Sequence, residues 1–221
     1  MKSQAFSDDI IRIYKDRIRI LLIIYFFSEE YYDPEKTNLV RVLYTETKIQ
    51  KIDFLLRNPD YFALELLNLL SLNNHDRNRI KEVVIDIFRN REPEIRRLEM
   101  EKFFFGAYED IDDVIAFLES YGFIAFKSKR NVELNVIDKQ YYITKYAEEK
   151  LGNILPKMDS LSWYVNRCDQ IKRYFGSYTG TQLKKMQYED ETYRNTSYKE
   201  FIADVQEKVK TIFKIEFGEE L

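Results

Sequence analysis

One cysteine and one histidine are all this chain has of either residue, and each scarcity removes a class of chemistry. Cys168 alone cannot form an intrachain disulfide; lying on an apolar helical stripe, it reads as a buried thiol in a reduced, cytoplasmic setting. His75 alone, with no second histidine and no cysteine cluster, offers neither a metal centre nor a nucleophile's base. Glycine (6) and proline (4) are too few for a flexible linker, a low-complexity tract or a repeat that would divide the chain into independent halves. The longest unbroken apolar run, Ile20 to Phe27, is far short of the ~20 residues of a membrane span, and Ser7-Asp8-Asp9 does not suit a signal peptide. Neither sign of charge dominates. Thirty-five basic against 38 acidic residues leave a net charge of −3, which is not the footprint of a protein that lives mainly on nucleic acid. No Gly-rich phosphate loop, metal-ligand spacing or nucleophile elbow occurs. The pairs Asp112-Asp113 and Glu148-Glu149 are expected by composition, so no catalytic residue, metal or cofactor is expected.

Apolar residues (45%), with 16 Phe and 17 Tyr, are ample for a core. Ser7 is a plausible cap for a helix from Asp8 to about Phe27, whose second half is apolar all round and expected at the centre of the core. Its first half carries Arg12, Lys15, Arg17 and Arg19, a solvated face or a basic face for a partner. Asp33-Pro34-Glu35-Lys36 is a turn. Thr47 begins a helix with Ile49, Ile52 and Leu56 on one face; Asn58-Pro59 ends it and Asp60 restarts it. Beyond the Asn73-Asn74 break, Ile80, Val83, Val84, Ile87 and Phe88 mark another helix, so the first ninety residues are expected to be helical. Residues 89–105 fit helix and strand equally; the arginines Arg89, Arg91, Arg96 and Arg97 there read as ion pairs with Glu92, Glu94 and Glu99 or as an interaction patch.

The segment Glu109 to Leu155 gives the chain its outline. Ile111, Val114, Ile115 and Leu118 form one helical stripe, closed by Gly122. Ile124 to Phe126 reads as a strand; Lys127, Lys129 and Arg130 open a polar tip through Asn131 and Asn135; Gln140 to Ile143 returns as a second strand; Thr144 caps a helix lined by Ala147, Leu151, Ile154 and Leu155. Helix, hairpin and helix make a winged-helix outline. The expected class is mainly α with a small β-hairpin, a winged-helix core embedded among helices (α+β). Residues 1–90 form an N-terminal helical region, 91–158 the winged-helix region and 159–221 a C-terminal helical region, together one compact unit. In the last region Leu161, Tyr164, Val165, Cys168, Ile171 and Phe175 line one helix ended by Gly176. A short helix spans Thr181 to Tyr188, and a Ser197–Glu200 capping box opens a long helix lined by Phe201, Val205, Val209 and Ile212.

Three surfaces compete as contact sites: the acidic outer face Asp112, Asp113 and Glu119; the basic tip Lys127, Lys129 and Arg130; and the Lys48, Lys51 and Arg57 side of the second helix. The acidic face would repel phosphates, so a basic protein surface suits it better than DNA, while the tip could grip a nucleic-acid backbone without reading bases.

Three stretches taken together, Val42 to Tyr61, Leu118 to Ile124 and Tyr174 to Lys185, resemble the middle component of ABC three-component systems, the small subunit of Lamassu-type anti-phage defence. The resemblance implies a non-enzymatic assembly or regulatory subunit whose partners are an SMC-like ATPase and a nuclease-type effector, with DNA contact inside the complex left open. It supplies no catalytic residues. The alternative reading of the residues is a winged-helix DNA-binding regulator or antitoxin; an enzyme ranks behind both.

Overall fold

The computed structural model describes residues 2–72, 76–103, 106–133 and 136–221. In chain order the elements are α1 (Lys2–Phe27), β1 (Glu29–Glu30), β2 (Leu39–Tyr44), α2 (Glu46–Arg57), α3 (Pro59–Leu69), α4 (Arg77–Arg89), α5 (Glu92–Ile95), β3 (Lys102–Phe103) and β4 (Gly106–Ala107). They continue with α6 (Asp112–Ser120), β5 (Ile124–Arg130), β6 (Val136–Thr144), α7 (Lys145–Ile154), α8 (Ser162–Phe175), α9 (Gly180–Glu189), α10 (Glu191–Asn195) and α11 (Gln206–Phe217). The class is α+β, mostly helical, with a four-stranded antiparallel sheet and the two-stranded hairpin β3–β4. No helix among the described residues is long and apolar enough to cross a membrane. The chain gathers into two compact units, each made of two stretches: unit 1 is Met1–Ile49 with Asp110–Gly180, and unit 2 is Gln50–Glu109 with Thr181–Leu221.

Unit 1 is built on the sheet, in the order β1-β2-β6-β5. Pairing sets Ile124 opposite Ile143, and Tyr141 opposite both Phe126 and Leu43. Because side chains alternate across a strand, Ile124, Tyr141, Ile143 and Leu43 share one face, where they are buried. The other face holds a small cluster of Leu39, Val42 and Tyr142 with Tyr31 and Ala125. The second half of α1 is buried from Ile20 through Ile24 and at Phe27, as its all-round apolar sequence implies. On α6, Ile111, Ile115 and Leu118 turn inward. Gly122, at φ +72, ends that helix in the left-handed region, its N–H donating to Glu119 O at 2.9 Å. Thr144 caps α7: its Oγ1 accepts from Ala147 N–H at 3.1 Å and donates to Gly122 O at 2.7 Å. Cys168 is fully buried on α8.

Several expectations for unit 1 need correction. Leu39–Tyr44 is a strand, so the first ninety residues are not all helical; its β-branched and apolar residues suit a pleated surface buried on both sides. The first helix starts at Lys2, not behind a Ser7 cap. Strand β5 runs to Arg130, so Lys127, Lys129 and Arg130 lie on an edge strand and not in the tip; polar residues on an edge do not end a strand. Ile154 of the α7 stripe is exposed. Asn135, like the Asn73-Asn74 break and His75, lies outside the described residues.

In unit 2, α3 is buried on nearly every side. Asn58 precedes it and Pro59 takes the first helical position, where the missing N–H is no loss. Asp76 caps α4 by accepting from the N–H of Asn78 and of Arg79. Val209 and Phe213 of α11 are buried, and α11 packs on α3. Phe54, Tyr61 and Tyr193 meet edge to face. Gly106, at φ +90, lies beneath this cluster; a Cβ there would stand 2.4 Å from Tyr193 Oη and 2.9 Å from Lys51 Nζ. The doubtful segment resolves into the short α5, an extended stretch in which Met100 O accepts from Ile202 N–H, and β3. Ser197 N–H does donate to Glu200 Oε2 at 3.3 Å, but no helix follows, and α11 opens only at Gln206. Local capping chemistry was outweighed by pairing of this segment with residues 100–102, as in the Lys199 N–H to Lys102 O bond of 2.7 Å.

Candidate functional site

The nine residues singled out as contacts fall into three environments. On α6, Asp112, Asp113 and Glu119 are exposed. Asp112 lies 3.7 Å from Lys139 Nζ, which also pairs with Glu46, and Glu119 Oε1 accepts from Phe126 N–H at 2.9 Å. Glu119 therefore caps the open edge of β5, a structural task that leaves Asp112 and Asp113 as the outward acidic pair.

On β5, Lys127 and Lys129 share a face with Gln140 and Asp138 opposite them, and Arg130 follows an irregularity in the pairing. Lys127 Nζ lies 5.2 Å from the Tyr142 ring centroid. The neighbouring Lys36 ammonium, itself 2.9 Å from Asp33, pushes the Lys127 pKa down, helped by partial desolvation. Lys36 belongs to the turn before β2, and its place beside β5 had no signal in the sequence, since only the β2-β6-β5 pairing brings the two segments together.

On α2 the expected basic face does not form. Lys48, in unit 1, is half-buried and donates to Gly176 O at 2.8 Å, at the C-terminal end of α8 where a cation is favoured. Gly180 lies close by; a Cβ on it would stand 2.8 Å from Lys48 N. The Gly-rich turn and the start of α2, two of the stretches distinctive in the sequence, are thus packed together. In unit 2, Lys51 and Arg57 are 1% and 4% exposed. Lys51 Nζ donates to Ala107 O at 3.2 Å, and burial, with Lys184 nearby, pulls its pKa down to about 7. Arg57 pairs with Glu109, lies 3.6 Å from Asp53 Oδ2 and donates to Leu98 O at 3.3 Å and Glu99 O at 2.8 Å. The partners come from residues 98–109, distant in sequence, so helical spacing alone made an interior face look like an outer one.

Unit 2 holds further buried ionisable groups that the sequence did not single out. Asp60 accepts from Arg97 at 2.9 Å and from Val205 N–H at 2.8 Å, so Arg97 of the arginine cluster pairs with a carboxylate outside its own segment. Glu65 accepts from Asn68 Nδ2 at 3.1 Å, and burial raises its pKa to about 8. Among the described residues no three His, Cys, Asp or Glu side chains are grouped to hold a metal ion. Comparison with models of known families, with curated proteins and with solved structures finds no match.

Proposed function

We propose that the protein is a non-catalytic assembly or regulatory subunit of an SMC-like ATPase complex of anti-phage or anti-plasmid defence, working in the cytoplasm and bridging the ATPase and a nuclease-type effector. The observation that carries this reading is the order of elements in unit 1. Helix α1, strand β2, the start of α2, helix α6 and the hairpin β5–β6 succeed one another with sheet order β2-β6-β5, and we read this order as a winged-helix path into which residues 50–109 are inserted. The helix at the position that would read DNA turns Asp112 and Asp113 outward, which suits a basic protein surface better than phosphates. The likeness to middle components of ABC three-component systems supports the same assignment. Co-expression with the adjacent ATPase tests it. The two are expected to co-elute in mild salt, and elution of this chain alone overturns the proposal.

A second reading, a winged-helix DNA-binding regulator or antitoxin, is favoured by Lys127, Lys129 and Arg130 along the hairpin. Anisotropy titration of duplex DNA separates them: sequence-specific binding by the isolated protein at physiological salt would promote the second reading. If the hairpin touches DNA inside the complex, replacing these three residues by Ala lowers the salt slope of DNA binding by up to about three.

A further inference from the structure

Strand β5 ends the sheet on one side, and its pairing fixes where its backbone groups point. Lys139 O accepts from Thr45 N–H, and Phe123 O accepts from Thr144 N–H. Along β6, therefore, residues 138, 140, 142 and 144 turn their N–H and C=O to β5, and those between them turn to β2. On β5, Ala125, Lys127 and Lys129 face β6, while Phe126 and Ser128 face away from it. Phe126 N–H is already taken by Glu119 Oε1 at 2.9 Å. Phe126 C=O and both backbone groups of the exposed Ser128 have no partner among the described residues. An edge left open in this way accepts one more strand when an extended peptide presents matching groups.

Charge decides which strand fits. Lys127 and Lys129 stand on one face of the edge, where Asp138, opposite Lys129, accepts from Gln140 Nε2 at 2.8 Å. Lys36, paired with Asp33 at 2.9 Å, lies beside Lys127 and adds a second cation there. Lys129 and Arg130 are exposed and make no ion pair among the described residues. A second copy is disfavoured. Antiparallel pairing of two β5 strands centred on Lys127, Ser128 or Lys129 puts lysine opposite lysine, and centring on Phe126 would displace Glu119 from both copies. We propose that the outer edge of β5 extends the antiparallel sheet with a strand of a partner protein carrying Asp or Glu at alternate positions, opposite Lys127 and Lys129. On the function proposed above that partner is another subunit of the assembly, and only its identity rests on that reading.

Two labelled peptides of about nine residues, one strand's length, alternate valine with glutamate or with lysine and are titrated with the full chain by fluorescence anisotropy. The glutamate peptide is expected to bind at least ~10-fold more tightly than the lysine peptide. Ser128→Pro removes the free N–H of the edge without touching a bond to β6, and is expected to weaken the glutamate peptide at least ~10-fold. The same bonds are tested on the unaltered chain by N-methylation of the glutamate peptide. Methylated valines, whose N–H would face β5, are expected to abolish binding, and methylated glutamates to leave it. Lys127→Glu with Lys129→Glu is expected to reverse the preference between the peptides, with circular dichroism checking that each variant folds. A glutamate peptide that tolerates methylated valines is held by charge alone and overturns the inference. So do equal binding of the two peptides and binding of neither at millimolar concentration. Duplex DNA that binds more tightly than the glutamate peptide, and is lost with the two lysines, assigns the strand to phosphate and overturns it as well. Peptide binding needs no ATPase. If it fails while chain and ATPase still co-elute, only the strand inference falls; if it succeeds and they do not co-elute, only the proposed function does.

Discussion

The charges singled out in the sequence lie mostly outside in unit 1 and inside in unit 2. In unit 1, Asp112, Asp113, Lys129 and Arg130 are exposed, although Lys48 is half-buried and Arg19 and Arg167 are buried. In unit 2, Lys51, Asp53, Arg57, Asp60, Glu65 and Asp190 are buried. A charged residue outside contributes to recognition and little to stability, whereas one inside is a stability element whose removal strands its partners. The contrast also shows why a helical wheel fails for α2. Every residue from Gln50 to Arg57 is buried, so no side of that stretch is an outside.

The largest effect expected from breaking this contrast is at Arg57. Arg57→Ala removes the hydrogen bonds to Glu109, Leu98 O and Glu99 O and the cation 3.6 Å from Asp53, and should lower the free energy of unfolding by about 3–5 kcal/mol in urea denaturation. A smaller and pH-dependent effect is expected at Lys51. Its pKa in the folded chain, about 7, lies below its ordinary value of 10.5. Between these values the unfolded chain holds the proton and the folded chain has released it, so stability rises with pH from about 7 towards 10 and is lowest below 7. Lys51→Met should flatten that rise, measured as urea midpoints at a series of pH values.

Glu65 should show the opposite slope. The unfolded chain ionises it above about 4.5, while burial keeps it protonated in the folded chain up to about 8, so its contribution to stability falls as pH climbs through that window. Glu65→Gln should remove the fall, and a stability profile that Glu65→Gln leaves unchanged would refute its protonated burial. The smallest effect belongs to unit 1. Lys129→Ala or Arg130→Ala should move the unfolding free energy by no more than about 0.5 kcal/mol, and a loss as large as that of Arg57→Ala would erase the distinction between the units.

Much of unit 1 was legible because its signals are local. The Ile111 to Leu118 stripe, Gly122 at positive φ and the Thr144 cap each act within a few residues, and each stands where the sequence puts it. What escaped the sequence depends on distant partners. Leu39–Tyr44 shows no clean alternation because both its faces are covered, one inside the sheet packing and one by the Tyr31–Tyr142 cluster. Ser197 and Glu200 form their local bond and still open no helix, since Met100 and Lys102 claim the neighbouring backbone. Of the candidate contacts, the acidic pair on α6 was readable from the outward side of a stripe. The interior places of Lys51 and Arg57 were not, because the carbonyls that receive them lie 56 and 41 residues away in the chain.

The order of strands has a consequence for synthesis. Strand β6 lies between β2 and β5 in space but follows both in sequence. As the chain leaves the ribosome, β2 therefore emerges with its inner edge open and stays so until residue 144 has been translated. Unit 2 waits longer, since α3 receives α11 only after residues 206–217 appear. Neither unit can close before most of the polypeptide exists, so the nascent chain exposes an open edge of β2 and the α11-facing side of α3 during elongation, the period in which a chaperone would be needed.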